Sequence, residues 1–351
     1  MRGRALLLAL VGTLLALGLA EIGCRLVLRP PGFQPWADAH VPGLRIPHPI
    51  RGFAHMPNFS GRRRTKDYDH AIVTNELGLR DAPLDHGFTG LRILAVGDSF
   101  TEGMGVEQEQ SWPEQLQHNL PGIDVVNAGI VAYSLRQMRQ TAEELIPIVR
   151  PQLLIAGVYL PGSSRLVDPY VLFNGDTVRQ SMVPRLRPAP GGYQYSAFDR
   201  PWAVRTDLWI TPRVWFLGHL LHQAQRLRGG QIDAENLPLV TNAGPSFDLL
   251  VLEINRLQDV AGSVGIPLVI VLVNGQERDG RFAEAAVQAN ARLMAHARHR
   301  EIVVVNPLSA LQRMAAGQPT MRFPSDGHWS ARAHEIVAAE VTRALSAAGS
   351  R

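Results

Sequence analysis

The chain is poor in cysteine and in lysine, and both shortages restrict its chemistry. Its 351 residues include one cysteine, Cys24, and one lysine, Lys66. A single cysteine excludes an internal disulfide, so the folded part must be stabilised by its hydrophobic core. The glycines between residues 97 and 105 lack the spacing of a dinucleotide-binding turn, and no phosphate-loop lysine follows them. Neither type of nucleotide site is therefore expected.

Net positive charge is also small once the N-terminus is set aside. The formal net charge is +4, and residues 1–29 carry +3 of it. The rest is nearly neutral, so the sequence predicts no nucleic-acid partner. The one basic cluster, residues 62–66, is interpreted as a solvated loop; contact with an anionic lipid headgroup or a polysaccharide is the alternative. A hydrophobic content of 46% and a charged content of 19% are typical of an ordered globular protein.

The N-terminus has the pattern of a membrane anchor. Arg2 and Arg4 precede an apolar run over residues 5–20, and positive charge before such a run favours a cytoplasmic N-terminus. Extension of the run to residue 28 reaches spanning length and brings Glu21 and Arg25 into the outer interface, four residues apart. We predict a single-pass anchor in the inner (cytoplasmic) membrane over residues 1–29, with the remainder extracytoplasmic or periplasmic. Cleavage of a signal peptide near Ala20, giving a secreted protein, is the alternative.

Residues 30–90 lack periodicity and are interpreted as a stalk and lead-in, with one strand near residues 71–74. From residue 91 to residue 348 apolar strands alternate with helices, which predicts an α/β fold with a mostly parallel sheet covered on both faces. The predicted strands are 91–96, 124–127, 153–160, 267–273 and 302–305, and the predicted helices are 111–120, 134–149, 247–264, 282–297 and 330–347. The helix at 111–120 opens on Ser111 and Glu114, which have the spacing of a capping box.

Residues 165–245 interrupt the alternation and are predicted to be an insertion. Its aromatic residues either pack within the insertion or line a sugar-binding surface; they are Tyr193, Tyr195, Trp202, Trp209 and Trp215. His219 and His222 lie three residues apart with no carboxylate at a useful spacing, so we interpret them as packing or surface residues and expect no metal site.

One strand ends abruptly on Gly97-Asp98-Ser99, which places a serine at the carboxyl end of a buried strand. Alone, this is also the pattern of a polar turn in which Asp98 and Ser99 cap backbone amides. More than two hundred residues later, Asp326 and His328 precede the final helix. A serine hydroxyl needs a base and a group that orients the base. We therefore predict that Ser99 attacks, His328 accepts its proton and Asp326 holds the imidazole.

These residues resemble a known family. Residues 97–100, Gly129 and residues 326–328 are similar in order and spacing to conserved blocks of the SGNH (GDSL-type) hydrolases. Residues 75–81, 97–106 and 326–330 resemble exported, membrane-anchored bacterial members more closely. The resemblance implies a three-layer α/β/α sandwich of the flavodoxin-like kind. It also implies ester hydrolysis or acyl transfer without a metal or organic cofactor.

The oxyanion hole is where the sequence leaves alternatives. The backbone N–H groups of Ser99 and Gly129 are predicted donors, each following a strand. The family carries an asparagine after the central strand, and Ser163 stands at its place here. Either Ser163 or Ser164 replaces this donor, or the hole consists of Ser99 and Gly129 alone.

Three functions follow from these residues. The first is an exported, membrane-anchored serine esterase acting on acyl esters of envelope glycans, lipids or polysaccharides. The second is an O-acyltransferase that transfers the acyl group to a polysaccharide with the same triad. The third is a catalytically weakened glycan-binding or assembly protein, which the serine at position 163 suggests.

Overall fold

The computed structural model of the chain divides into two compact units, Met1–Asp38 with Ser181–Leu237 and Ala39–Gln180 with Pro238–Arg351. The structure describes residues 2–27, 41–167, 170–173, 176–179, 186–189, 192–195, 214, 216–217, 220, 245–277, 280–282, 284–315 and 321–349. Some of the predictions for the insertion concern groups outside the described residues. These are Trp202, Trp209, Trp215, His219, His222 and the side chains of Tyr193 and Tyr195.

The first unit contains one long helix, α1, which spans Arg2–Val27. None of its described side chains is buried, and its length and composition are sufficient to cross a membrane. Arg25 Nε lies 2.6 Å from Glu21 Oε1, so these two residues form an i,i+4 ion pair on α1. The same unit contains an antiparallel hairpin, Leu186–Ala189 with Gly192–Tyr195.

The second unit begins with two antiparallel hairpins in the segment interpreted as stalk and lead-in. Strand β1 (Arg45–His48) pairs with β2 (Gly52–His55), and β3 (Ser60–Arg64) pairs with β4 (Asp69–Val73). Val41, Leu44 and Ile72 are buried together under Phe59. The segment is therefore folded from residue 41 onward. A further hairpin in this unit pairs Tyr170–Phe173 with Asp176–Arg179.

A five-stranded parallel sheet forms the centre of the second unit. Its strands are β5 (Leu91–Gly97), β6 (Ile123–Gly129), β7 (Leu153–Tyr159), β8 (Leu268–Val273) and β9 (Val303–Val305). The strand order is β9-β8-β7-β5-β6, which is the flavodoxin-like order. The predicted α/β class with a parallel sheet is confirmed. The order reverses between β5 and β7, so the carboxyl end of β5 lies at the topological switch point, where sheets of this kind place ligands.

Helices cover both faces of the sheet. They are α2 (Ser99–Glu102), α3 (Trp112–Asn119), α4 (Leu135–Val149), α5 (Pro245–Ser263), α6 (Glu284–His299), α7 (Leu308–Ala315) and α8 (Ala331–Gly349). Helices α3, α7 and α8 share one hydrophobic core with alternate residues of the strands. Helices α4 and α5 pack against each other, and each contacts the sheet. Because β8 is buried along its whole length, its unbroken apolar sequence fits a strand covered on both faces.

Helix α3 begins where the sequence predicts, but for a different reason. Ser111 makes no side-chain hydrogen bond to the helix start, so the predicted capping box is wrong. The Trp112 N–H instead donates to His334 Nδ1 at 3.2 Å. An imidazole from α8 therefore satisfies an amide that would otherwise be buried without a partner.

Candidate active site

Ser99 is the first residue of α2 and lies two positions after Gly97, the last residue of β5. Asp98 accepts a hydrogen bond from the Phe100 N–H at 3.1 Å, and Gly103 ends the helix with a φ of 83°. The helix lies against the ends of two strands because both end in glycine. A Cβ at Gly97 would lie 1.9 Å from Thr101 Oγ1, and one at Gly129 would lie 2.3 Å from the Glu102 nitrogen. These close approaches fix Ser99 at the edge of the sheet.

The structure brings the three predicted triad residues together. His328 Nε2 lies 2.6 Å from Ser99 Oγ, and His328 Nδ1 contacts Asp326 Oδ1. Asp326 Oδ1 also accepts the backbone N–H of His328 at 2.9 Å. Ser99 and His328 are 2% and 4% exposed, so the pair is shielded from solvent. With the Nδ1 proton donated to the carboxylate, Nε2 is free to accept the serine proton.

The loop that carries Asp326 and His328 is fixed at several points. Arg322 Nε donates to the carbonyl oxygens of Phe323 and Asp326 at 3.1 and 3.2 Å. Trp329 Nε1 donates to the Asn274 carbonyl at 2.9 Å. The ring of Phe100 lies 4.9 Å from the imidazole of His328, measured between centroids. The imidazole of His328 is therefore held by both its own loop and helix α2.

Asp326 has a second partner that the sequence did not indicate. The hydroxyl of Tyr68, on the turn between β3 and β4, donates to Asp326 Oδ2 at 2.6 Å. Burial alone would raise the pKa of Asp326, but His328 and the bonds from His328 and Tyr68 hold this pKa well below its usual range. Burial and the negative charge of Asp326 raise the pKa of Tyr68, so the phenol keeps its proton.

The predicted oxyanion donors differ in what they already bind. The Gly129 N–H donates to Asn127 Oδ1 at 3.0 Å, so this predicted donor is engaged within its own strand end. The Ser99 N–H makes no hydrogen bond to any described residue. Ser163 Oγ is buried and likewise has no partner among the described residues. Ser164 Oγ donates to the Pro161 carbonyl at 3.3 Å. Ser163 is thus the better placed of the two serines to donate.

A further unpaired amide follows β6. Ala132 has a φ of 72°, which is unusual for a residue with a Cβ, and its N–H has no hydrogen bond within the described ranges. Its predecessor is fixed, because the Val131 N–H donates to Glu102 Oε2 at 2.8 Å. Strain at a sheet edge of this kind is a feature of functional sites. No local pattern indicates this conformation, since no glycine stands at the position.

Two charged pairs lie on either side of Ser99, and the sequence does not indicate either of them. Arg165 Nη1 donates to Asp98 Oδ2 at 2.8 Å. Arg63 Nη1 donates to Glu102 Oε1 at 2.8 Å, with both side chains buried. Burial alone would raise the pKa of Glu102, but the charge of Arg63 lowers it to about 2. These partners are 67 and 39 residues apart in sequence, and no local pattern connects them.

Comparisons with known proteins give structural matches only. The chain matches no protein-family model and no curated protein. A member of the lipolytic protein G-D-S-L family from Veillonella parvula is 13% identical, with a TM-score of 0.40, over 73% of this chain and 98% of that one. A GDSL-like lipase from Bacteroides thetaiotaomicron is 14% identical, with a TM-score of 0.38, over 73% and 88%. AlinE4, a SGNH-hydrolase family esterase, is 15% identical, with a TM-score of 0.37, over 74% and 97%. These three neighbours are described as GDSL or SGNH proteins.

Proposed function

We propose that this chain is a serine ester hydrolase of the SGNH type, anchored in a membrane by α1. The observation that carries the proposal is the contact series from Ser99 Oγ to His328 Nε2 and from His328 Nδ1 to Asp326. A chain of hydrogen bonds at the switch point of the sheet connects a weak nucleophile, a base and a carboxylate that orients the base. The sequence motifs support the same assignment independently.

The geometry supports a two-step reaction. Ser99 Oγ attacks the acyl carbon while its proton passes to His328 Nε2, and Asp326 stabilises the imidazolium. The Ser99 N–H and the Ser163 hydroxyl are donors for the oxyanion of the tetrahedral intermediate. The same proton then passes from Nε2 to the departing alkoxide, which leaves as an alcohol. Water repeats the sequence on the acyl-serine and releases the carboxylic acid and free Ser99.

The test is ester hydrolysis by the full chain in detergent, with p-nitrophenyl acetate as substrate. Ser99→Ala should lower kcat by about 10³-fold or more, because nothing else at the site can form the acyl-enzyme. Ser263→Ala is the matched control, since its exposed hydroxyl only donates to the Val260 carbonyl at the end of α5. Equal rates for wild type and Ser99→Ala would overturn the enzymatic assignment and favour a binding protein.

The nature of the acceptor is settled by product analysis. Wild type is incubated with the ester alone and with added polysaccharide, and free acid and acylated sugar are both measured. A hydrolase releases acid at the same rate in both mixtures. Slow release of acid together with efficient acylation of the sugar would contradict hydrolysis and assign acyl transfer.

We place the second unit outside the cytoplasm, where its substrates are acyl esters of envelope glycans, lipids or polysaccharides. The support is the apolar length of α1 and the two arginines before its apolar run. A Cys24→Ser chain with Ala347→Cys carries one thiol at an exposed position of α8. A maleimide that cannot cross the inner membrane should label this thiol in cells whose outer membrane has been permeabilised. Labelling only after lysis would reverse the orientation.

A further inference from the structure

We propose that Tyr68 is a positioning residue of the triad: its phenol fixes the carboxylate of Asp326 and thereby the base. The inference rests on the proposed function and extends it to the turn between β3 and β4. The hydroxyl of Tyr68 lies 2.6 Å from Asp326 Oδ2, although the two residues are 258 positions apart. Tyr68 is buried, and a hydrogen bond in surroundings of low dielectric constant is stronger than the same bond in water.

The two oxygens of Asp326 have separate tasks. Oδ1 receives both donors of His328, the backbone N–H and Nδ1. Oδ2 receives the phenol, and the described residues supply no other side-chain hydrogen bond to it. A carboxylate bound through one oxygen can turn about its Cβ–Cγ bond. Binding of both oxygens sets the plane of the carboxylate and, through Oδ1, the orientation of the imidazole.

The phenol is itself held rigidly. Its ring lies 5.0 Å from the ring of Phe323 and 5.6 Å from that of His70, measured between centroids. Other charged groups face this corner without bonding to Oδ2. Arg63 acts on the phenol only through its charge, and Asp67 Oδ2 accepts the Ser325 N–H at 2.7 Å. Arg322 binds the backbone carbonyl of Asp326. The hydroxyl is therefore the group to change.

The phenol also sets how strongly the Asp326–His328 pair holds a proton. A donor on Oδ2 disperses the negative charge of the carboxylate, which weakens its hold on the imidazolium. Without this donor the pair binds its proton more tightly. The base then stays protonated up to a higher pH. The acid limb, which is the fall of kcat/KM on the acidic side of its pH profile, therefore moves to higher pH.

The variant Tyr68→Phe keeps the ring packing and removes only the hydroxyl. In the detergent ester assay we expect kcat to fall roughly 10-fold with KM within about twofold, as for the loss of a hydrogen bond to a charged group. The acid limb of kcat/KM should move upward by about half to one pH unit. The shift of the limb is the readout that a purely structural role of Tyr68 would not produce.

Asp67→Ala is the matched control. It removes the neighbouring contact between the same turn and the same loop, but it does not touch Asp326. We expect its kcat within about twofold of wild type and its acid limb unmoved. A Tyr68→Phe protein with wild-type kcat and limb, while wild type stays far more active than Ser99→Ala, would overturn the inference alone. Equal losses in both variants with no shift of the limb would also overturn it.

An independent readout covers failure of the proposed function. The proton between His328 Nδ1 and Asp326 should give a low-field NMR resonance, assigned by its loss in His328→Gln. Tyr68→Phe should move or broaden this resonance and Asp67→Ala should not. If wild type were no more active than Ser99→Ala, this signal would still decide the point. An unchanged resonance in Tyr68→Phe would contradict a positioning role.

Discussion

Ser163 is buried, and its hydroxyl makes no hydrogen bond to the residues that the structure describes. Its side chain follows β7 and lines a small cavity together with Asp98, Tyr133, Arg165 and Leu250, among others. A buried hydroxyl without a partner costs free energy, and a role at another stage of a reaction is one reason for a protein to keep it. Among the serines after the central strand, it is the one whose hydroxyl is not already bound within the described part of the chain.

We therefore predict that Ser163→Ala lowers kcat by roughly 10- to 100-fold with little change in KM. The reason is that an oxyanion donor acts mainly in the transition state. Steady-state kinetics with p-nitrophenyl acetate measures both parameters. Ser164→Ala, which removes a hydroxyl that donates to the Pro161 carbonyl, should remain within about twofold of wild type. The reverse pattern would assign the role to Ser164.

The sequence indicates the three residues of the proposed triad, because each belongs to a local pattern. Ser99 ends an apolar strand, and Asp326 lies two positions from His328. It could not indicate Tyr68 or Arg165, whose partners are brought together only by the tertiary fold. It also could not show that the side chain of Asn127 turns back onto the Gly129 N–H.

The position of Ser99 depends on the close contact between helix α2 and Gly129 at the end of strand β6. Gly129 leaves no room between them: a Cβ there would lie 2.3 Å from the Glu102 nitrogen and 2.6 Å from the Thr101 carbonyl carbon. Both are backbone atoms, so no flexible side chain can move aside. Any side chain at position 129 must therefore displace the helix that carries Ser99.

We predict that Gly129→Ala lowers the free energy of unfolding by about 1–3 kcal/mol through overpacking, and lowers activity with it. Differential scanning calorimetry should show a lower Tm. Gly262→Ala is the matched control, because no atom lies within 4 Å of its added Cβ, in the last turns of α5. That change should leave Tm equal or higher, because alanine is more favourable than glycine inside a helix by about 1 kcal/mol. A wild-type Tm for Gly129→Ala would contradict the close contact.

Elements with a continuous or periodic apolar pattern could be predicted from the sequence, and elements without one could not. The five sheet strands and the helices between them follow continuous or periodic apolar runs. Strand β3 reads Ser-Gly-Arg-Arg-Arg, which has no apolar residue at all. Its buried Arg63 is accounted for only by Glu102, which no local rule connects with it. The hairpins of residues 45–73 were therefore missed except for the strand near residues 71–74.

The whole second unit has a stability that depends on buried neutral histidines. Burial is the first cause that lowers the pKa of His55 to about 4 and the pKa values of His70 and His334 to about 3. Their ordinary pKa is 6.5, so the unfolded chain takes up these protons first as the pH falls. The histidine contribution is fully present above pH 6.5 and is lost between pH 6.5 and about 3. Glu102 acts in the same direction below its ordinary 4.5, down to about 2.

We therefore predict that Tm is nearly constant above about pH 7 and falls steadily below pH 6.5. Thermal unfolding in a series of buffers measures the slope. His334→Asn should flatten it, because the amide oxygen can accept the Trp112 N–H in place of Nδ1 but does not titrate. An equally steep fall in that variant would show that the buried imidazole is not responsible.

At the scale of the molecule, the alternation of strands and helices predicts a parallel sheet but not the order of its strands, which depends on which edges pair in space. The flavodoxin-like order is implied by the family resemblance instead.

The order in which Tyr68, Ser99 and His328 occur along the chain has a consequence for biosynthesis. Synthesis runs from the N-terminus, so the ribosome delivers the phenol and the nucleophile long before the imidazole, 229 residues after the serine. In the proposed mechanism, a nascent chain that lacks residue 328 has Ser99 but no base, so we expect it to hydrolyse no ester. Reactivity is then tied to a segment that is made 229 residues after Ser99.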